Sequence, residues 1–233
     1  MLPVAVPTAR AWSTADPYAT ALRTGRGPLF LGRSDGWLLP LDVERWCAEP
    51  DAADRSVLDA CHGPTLDIGC GPGRLVTALA ARGLPALGID VSPEAVRRTR
   101  AAGGTALLRS VFDPVPREGR WQTALLIDGN IGIGGDPVAL LTRVRGLLHP
   151  HGRLITEAAP CGIADDLDEH SVVRLHDGTS AHGVTFPWAR VGPSALRRHA
   201  ATAGWVGEAA WSVEGRRFVQ LRGCHFSARP ADI

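Results

Sequence analysis

The sequence contains no lysine, and all 25 of its basic residues are arginines. Arginine, alanine, glycine and proline have GC-rich codons and are abundant here, which indicates a genome of high GC content rather than a particular function. With 24 acidic residues the formal net charge is +1, and the arginines are scattered along the chain. Because nucleic-acid-binding proteins usually concentrate positive charge on one face, we expect no nucleic-acid partner.

Long apolar runs are also missing. None approaches the ~18 consecutive apolar residues that cross a bilayer, and the N-terminus lacks a basic region followed by a continuous apolar stretch. We therefore expect a cytoplasmic protein with no membrane partner. The cysteines are odd in number, widely scattered and without a C-x-x-C pair, so neither a disulfide framework nor a zinc knuckle is indicated. They are Cys47, Cys61, Cys70, Cys161 and Cys224.

From about residue 64, short apolar runs alternate with amphipathic segments, which is typical of βαβ units and a parallel sheet. We therefore predict an α/β fold, a three-layer αβα sandwich with a seven-stranded, mostly parallel sheet that ends in an antiparallel C-terminal hairpin. The predicted strands cover residues 64–68, 85–90, 105–109, 121–127, 153–158, 206–213 and 217–221.

Two segments lie outside this alternation. Residues 1–60 predict an N-terminal helical appendage, with helices over 41–47 and 53–60, that acts as a lid on the Rossmann-like domain of residues 61–233. Within that domain, residues 161–192 form an insert rich in charge and histidine. We expect this insert to shape the substrate pocket, with a hairpin over 171–176 and 184–190.

A glycine-rich turn, Leu66-Asp-Ile-Gly-Cys-Gly-Pro-Gly-Arg74, lies between a predicted strand and a predicted helix. Its Gly-x-Gly-x-Gly spacing differs from the Gly-x-Gly-x-x-Gly of pyrophosphate binders, and Asp67 precedes it. A carboxylate there repels a pyrophosphate but suits a ligand with an ammonium group and a sulfonium charge. Asp90, at the end of the second strand, is placed to accept hydrogen bonds from two ribose hydroxyls.

These residues resemble the class I S-adenosylmethionine-dependent methyltransferases, and the chain is similar to small-molecule methyltransferases of high-GC bacteria. The resemblance covers roughly residues 64–222 and rests on Asp67-Ile-Gly-Cys-Gly-Pro-Gly73 followed by Gly88-Ile-Asp90. It implies S-adenosylmethionine as cofactor and S-adenosylhomocysteine as product. The residues it assigns to the methionine moiety, the ribose and the adenine are Asp67, Gly69 and Gly71, then Asp90 and Val91, then Ser110 and Val111. Many members have an aspartate where this chain has Ser110, so the adenine contact is expected to be weaker or to come from backbone.

A second glycine cluster follows the fourth predicted strand, in Leu125-Leu-Ile-Asp-Gly-Asn-Ile-Gly-Ile-Gly-Gly-Asp-Pro137. By the resemblance, Asp128, Gly129 and Asn130 lie where the methyl group moves, and glycine there lets backbone approach both partners. We interpret residues 134–136 as the turn into the next helix. The segment lacks the Asp/Asn-Pro-Pro-aromatic pattern of enzymes that methylate nucleic-acid bases, which is a second reason to expect a small-molecule acceptor.

Displacement at a sulfonium needs no protonation of the leaving group, so positioning and exclusion of water supply most of the acceleration. A general base is required only for some acceptors and must lie within hydrogen-bond reach. By position, the candidate catalytic residues are Asp128, Asn130 and Glu157. Three histidines of the insert are alternative bases or simply solvated loop residues, namely His170, His176 and His182. Because the histidines lack a tight ligand spacing with carboxylates, we expect no metal site.

The N-terminal appendage also offers candidate cofactor ligands. Tyr18, the only tyrosine, and Arg33 are predicted to close over the methionine end of the cofactor or to line the acceptor pocket, the arginine by pairing with a carboxylate. Trp37 and Trp46 are better explained by packing onto the sheet. Phe186-Pro-Trp188 is positioned to line the acceptor pocket.

The leading hypothesis is methyl transfer to an oxygen, nitrogen or carbon atom of a small-molecule acceptor. Two alternatives remain open. The same cofactor supports other chemistry, such as transfer of its aminocarboxypropyl arm or a ring closure. A non-catalytic module that binds a partner is the third reading, and it ranks last because nothing in the sequence disables the cofactor turn.

Overall fold

A computed structural model describes residues 16–224, so residues 1–15 of the predicted appendage and 225–233 of the predicted main domain lie outside the described residues. The helices are α1 Pro17–Thr24, α2 Val43–Cys47, α3 Ala52–Asp59, α4 Arg74–Ala81, α5 Pro93–Ala101, α6 Pro137–Leu147 and α7 Pro193–Thr202. The strands are β1 Phe30–Gly32, β2 Leu38–Pro40, β3 Thr65–Ile68, β4 Ala86–Asp90, β5 Ala106–Leu108, β6 Trp121–Leu126, β7 Leu148–Ala158, β8 Asp168–His176, β9 Ala181–Val191, β10 Trp205–Val213 and β11 Arg216–Gly223. Across residues 16–224, no helix has both the length and the apolar character that a membrane crossing requires.

The larger sheet has the strand order β10-β11-β7-β6-β3-β4-β5. Its strands β5, β4, β3, β6 and β7 pair in parallel, whereas β11 pairs antiparallel with both β7 and β10. This confirms the predicted seven-stranded sheet with its C-terminal hairpin. The bounds differ from the predicted ones by a few residues, most clearly in β7, which begins at Leu148 instead of residue 153.

The core of this sheet has two layers because successive side chains of a strand point to opposite faces. Along β6, Leu126 packs with Leu140 of α6 and Leu196 of α7 on one face. Leu125, the next residue back, packs on the other face with Leu79 of α4. The two layers confirm the three-layer αβα arrangement.

A second, smaller sheet has the order β2-β1-β8-β9 and is antiparallel throughout. Its strands β8 and β9 are the hairpin expected in the insert, and they are longer than predicted. Strands β1 and β2 differ from the expectation of helices alone in the N-terminal appendage. Because each has only three residues, neither carries a readable periodicity, and the partner of β1 lies far along the chain in β8.

The small sheet has its own apolar layer, which joins the N-terminal segment to the insert. Leu31 of β1 and Val43 of α2 pack with Leu175 of β8 and Phe186 of β9. The residues of the predicted lid and of the predicted insert therefore form a single structural unit at the carboxyl edge of the large sheet.

One position of the first glycine turn is sterically constrained. Gly73 has φ +90° at the start of α4, and a Cβ built there meets the side chain of Thr99 at 2.5 Å. Thr99, on α5, is fully buried and donates a hydrogen bond to the carbonyl of Gly71 at 3.0 Å. Only glycine therefore satisfies both the backbone angle and the contact with α5.

We expect Gly73→Ala to lower stability more than Gly83→Ala, which serves as the matched control. Gly83 also has a positive φ, but a Cβ there meets nothing within 4 Å. The control should cost about 1–2 kcal/mol for the left-handed backbone alone, and Gly73→Ala about 1–3 kcal/mol more for the clash with Thr99. Urea unfolding of the two variants measures the difference, and equal losses would contradict the assignment.

Candidate active site

A cavity that is open at its mouth lies at the carboxyl ends of β3, β4 and β5. Residues from three successive strand ends meet in its wall, which is where open α/β sheets bind ligands. Seven residues of the predicted cofactor set line it: Tyr18, Gly69, Asp90, Val91, Ser110, Val111 and Asp128. We call this space the first cavity.

The carboxylate of Asp90 is held in place by two backbone amides. Its Oδ2 accepts from the amide of Gly71 at 2.9 Å and its Oδ1 from the amide of Ser92 at 2.8 Å. Burial raises the pKa of Asp90 to about 6, although these two hydrogen bonds act to lower it. Each oxygen of Asp90 keeps a further lone pair. This carboxylate, which lines the first cavity, therefore suits a ligand with two adjacent hydroxyl donors.

Asp67 is buried beside the glycine turn and is only 3% exposed. The pKa of Asp67 is raised to about 7, chiefly by burial; Arg74 acts to lower it, and the nearby carboxylates of Asp128 and Asp90 add to the rise. Within residues 16–224, its carboxylate accepts no hydrogen bond. Asp67 and Gly71 are not among the residues that line the first cavity. A buried carboxylate without a donor nevertheless favours a cationic group nearby.

The two glycine clusters meet through Asn130. Its side-chain amide donates to the carbonyls of Ile68 and Gly69, both at 2.9 Å. A Cβ at Gly69, where φ is +73°, would lie 2.6 Å from that amide nitrogen. Glycine at position 69 therefore makes room for Asn130, and Asn130 fixes the turn rather than serving as a base.

Glycines of the second cluster make room for the insert. A Cβ at Gly132 would lie 2.2 Å from the carbonyl of Ala189, and one at Gly135 would lie 2.6 Å from Pro187. Asp136 caps α6 by accepting from the amide of Ala139 at 3.0 Å, as the sequence predicts. The cluster therefore allows β9 to pack closely over the loop that follows β6.

Asp128 lies at the centre of an arginine cluster. Its carboxylate accepts from Arg45 at 2.7 Å, Arg74 at 2.7 Å and Arg216 at 3.1 Å. Although burial opposes ionisation, these three guanidinium groups hold the pKa of Asp128 well below its usual range. Asp128 remains ionised, and accepting a proton would weaken three ion pairs at once, so it is poorly suited to act as a general base.

Two further carboxylates complete the cluster. Asp54, which is fully buried, accepts from Arg74 and from Arg216 at 2.7 to 2.9 Å. Glu157 accepts two hydrogen bonds from Arg216, at 2.8 and 2.9 Å, and one from the amide of Asp128 at 2.7 Å. All three predicted catalytic side chains, those of Asp128, Asn130 and Glu157, are therefore engaged in holding the loop after β6.

A second, larger cavity lies at the ends of β6 and β7, beneath β9. Four members of the arginine cluster form part of its wall, together with Gly129 and Ala159; they are Arg45, Asp128, Glu157 and Arg216. It shares a boundary with the first cavity, formed by Leu41, Trp46, Asp128 and Trp188. The indole nitrogen of Trp46 is buried there without an acceptor, as is Nε of Arg109 in the wall of the first cavity. A molecule in each cavity would meet its neighbour at this boundary.

The structure separates the two residues that were expected to close over the cofactor. Tyr18, on α1, lines the first cavity, and its ring contacts that of Trp46 edge-on at 6.2 Å between centroids. Arg33 lies away from both cavities, where it pairs with Asp35 and stacks over Trp37 at 5.4 Å. Arg33 therefore pairs with the nearby carboxylate of Asp35 and does not line the first cavity.

The insert contributes aromatic residues rather than bases. Phe186 and Trp188 line the first cavity, as their position predicts, and Trp188 also lines the second. None of the three insert histidines lines either cavity. His176 lies against Phe30, His182 pairs with Asp177 at 2.7 Å, and His170 pairs with Asp168 at 3.1 Å.

Residues 65–152 match the sequence profile of a family described as a methyltransferase domain. An uncharacterised methyltransferase of Mycobacterium tuberculosis is 33% identical over 106 residues, which cover 45% of this chain and 43% of that protein. The matched segment thus spans less than half of the length of this curated relative.

Solved structures share the fold at low sequence identity. A SAM-dependent methyltransferase from Bacteroides fragilis, in complex with S-adenosyl-L-homocysteine, has a TM-score of 0.73 at 19% identity and covers 97% of this chain and 100% of that one. The Burkholderia thailandensis 1,6-didemethyltoxoflavin-N1-methyltransferase, with its substrate and S-adenosylhomocysteine bound, has a TM-score of 0.55 at 18% identity over 75% of this chain and 79% of that one. The Rossmann-like fold of class I methyltransferases is therefore established for this chain.

We expect Asp128→Asn to destabilise the protein by about 3–5 kcal/mol, because it leaves the buried guanidinium groups of Arg74 and Arg216 and the half-buried one of Arg45 without their shared counter-charge. The control is Asp59→Asn, which breaks the exposed pair with Arg82 at 2.7 Å and should cost at most about 1 kcal/mol. Chemical unfolding of both variants measures these losses. Similar small losses in the two variants would contradict a structural role for Asp128.

Proposed function

We propose that this chain, which carries a methyltransferase domain over residues 65–152, moves a methyl group from S-adenosylmethionine to a nitrogen atom of a small-molecule acceptor. The observation that carries the proposal is the meeting of two cavities at one boundary beside Asp128. We assign the first cavity to the cofactor and the second to the acceptor, so that the two react across that boundary. S-adenosylmethionine supplies the methyl group as a sulfonium substituent.

The first cavity fits this cofactor group by group. The paired oxygens of Asp90 suit the ribose hydroxyls, and Ser110 with Val111 forms the side of the wall assigned to the adenine. Asp67 lies outside the cavity wall, beside the glycine turn, and its buried carboxylate without a donor suits the positive charge of the ammonium and sulfonium groups. Tyr18 covers the cavity from α1. Among the described residues Arg109 is the single arginine of this cavity wall, so the wall lacks the set of several cations that would favour a pyrophosphate.

Two features support nitrogen as the accepting atom. The predicted catalytic side chains of Asp128, Asn130 and Glu157 are all occupied by other partners, and a neutral amine needs no base before it attacks. The second cavity is lined by five carboxylates and three guanidinium groups, and this excess of negative charge stabilises the positive charge that develops on a neutral nitrogen as it accepts the methyl group. The N1-methyltransferase among the structures with the same fold agrees with this choice.

The residues of the boundary act by positioning. Trp46 and Trp188 flank the passage between the cavities and exclude water from it, whereas the arginine cluster keeps the loop of Asp128 in one conformation. Holding the attacking atom in line with the methyl group supplies most of the acceleration in such a displacement. After transfer, the amine loses its proton to solvent or to a carboxylate at the mouth of the second cavity.

We expect Asp67→Asn to weaken binding of S-adenosylmethionine by about tenfold to a hundredfold, the value of a hydrogen bond to a charged group. The same change should stabilise the cofactor-free protein at high pH. The folded-state pKa of about 7 lies above the ordinary 3.8, so ionisation of Asp67 lowers stability progressively as pH rises through that interval. The melting temperature of the variant should therefore match that of the wild type near pH 4 and exceed it at pH 8.

Calorimetry with S-adenosylmethionine and with NAD, together with melting curves across that pH range, tests this prediction. Asp136→Asn is the matched control, because Asp136 is exposed, lies outside both cavities and caps a helix that asparagine caps equally well. A preference for NAD, or unchanged cofactor affinity in Asp67→Asn, would overturn the cofactor assignment.

The acceptor assignment is tested by turnover with panels of small amines, phenols and alcohols, followed by mass spectrometry. We expect S-adenosylhomocysteine and a product heavier by one methyl group with amines only. Ala159→Phe, which fills the second cavity, should abolish turnover and leave cofactor affinity unchanged, whereas the exposed Ala201→Phe should retain both. Methylthioadenosine as by-product would indicate aminocarboxypropyl transfer instead, and loss of cofactor affinity in Ala159→Phe would refute the division into two sites.

A further inference from the structure

Three side chains converge on the surface where the hairpin of β8 and β9 meets α7. Asp168 and His170 are contributed by β8, and His199 by α7. Oδ1 of Asp168 lies 2.8 Å from Nε2 of His199 and 3.1 Å from Nε2 of His170. One nitrogen or oxygen atom from each of the three lies within 4.8 Å of the others. None of the three residues lines either cavity.

His170 lies between two hydrogen-bond acceptors. Its Nδ1 is 2.7 Å from the carbonyl oxygen of Gly135, which can only accept, so Nδ1 must carry a hydrogen. In a neutral imidazole the other nitrogen, Nε2, then presents a lone pair, and here it faces the carboxylate of Asp168. Nε2 is therefore the ring nitrogen of His170 that is available to coordinate a cation on the side of Asp168.

We propose that Asp168, His170 and His199 bind a divalent transition-metal ion of the zinc type. Imidazole nitrogens and a carboxylate oxygen are ligands that zinc prefers, and three protein ligands leave one coordination position for water. The side chains are 30%, 48% and 18% exposed, so that position opens to solvent. A metal-binding histidine commonly donates its other ring hydrogen to a backbone carbonyl, which is the contact that His170 makes with Gly135.

One positive charge opposes the ion. Nη2 of Arg198 lies 3.7 Å from Oδ2 of Asp168, beside the ligand oxygen. This contact is longer than a hydrogen bond, and the Arg198 side chain is 59% exposed. It is therefore free to turn into solvent when the metal binds, and removing it should strengthen binding.

The bound metal fastens the hairpin of β8 and β9 to a helix that packs on the large sheet. It joins β8 to α7, and the hydrogen bond of His170 extends the connection to Gly135, in the loop whose neighbours Ile133 and Gly134 line the first cavity. The spacing of the ligands explains why the sequence indicated no metal. His199 lies on a separate helix, far along the chain from the Asp168-x-His170 pair.

The proposal is tested by titrating Co²⁺ into the untagged full-length chain after removal of bound metal with a chelator. We expect one ion per chain with the visible absorption of tetrahedral or five-coordinate Co²⁺, displaced by Zn²⁺. His170→Ala and His199→Ala should each weaken binding at least about tenfold. His149→Ala is the control, because His149 and His151 form another exposed histidine pair, 5.5 Å apart between ring centroids. Arg198→Met should tighten binding.

Circular dichroism of the metal-free variants shows whether a variant that binds no metal is still folded. Asp168→Asn removes the carboxylate ligand with almost no change in the shape of the side chain. The proposal is overturned by an absence of Co²⁺ absorption, by binding that survives both His170→Ala and His199→Ala, or by loss confined to His149→Ala. Because the readout is metal binding alone, these outcomes are independent of cofactor affinity and of turnover.

Discussion

The ion pairs around Asp128 are the interaction on which the arrangement of the site depends. They connect Arg45 of α2, Arg74 of α4 and Arg216 of β11 to a single carboxylate in the loop after β6. Isolated buried charges are costly, but each guanidinium here serves at least two carboxylates through its several fixed donors. A lysine offers no such planar set of donors, so the exclusive use of arginine in this chain suits the cluster. The N-terminal segment, the central sheet and the C-terminal hairpin are thereby held against the same loop.

Glycine is required in the two clusters for different physical reasons. In the first, positive φ angles turn the chain from β3 into α4, and the missing side chain at Gly69 admits Asn130. In the second, Gly132 and Gly135 admit β9, so that Trp188 reaches the boundary between the cavities. One cluster shapes the turn after β3, and the other brings the insert onto the two cavities.

The sequence predicts the large sheet because its strands carry local signals: apolar runs, glycine turns and helix caps at Ser92 and Asp136. Asp90 is predicted from its place at the end of a parallel strand, whereas Val91, Ser110 and Val111, which also line the first cavity, come from the resemblance to class I methyltransferases. The arginine cluster has no such signal, because Arg74 and Arg216 meet only through the fold. Strands β1 and β2 are missed for the same reason. Their pairing is decided by β8, and three residues are too few to show a period of two.

The pairing of β1 with β8 also constrains the order in which the protein is built. Of the two strands that pair with β1, only β2 is made early in synthesis. The other side of β1 stays unpaired until β8 has been synthesised, because Gly32 lies opposite Arg174. Closing so long a loop costs chain entropy that local contacts do not repay, and such distant pairings form slowly. The N-terminal segment is synthesised early but cannot complete its sheet until the insert has been made. The small sheet beside the two cavities therefore forms late, after the parallel strands of the large sheet have been synthesised.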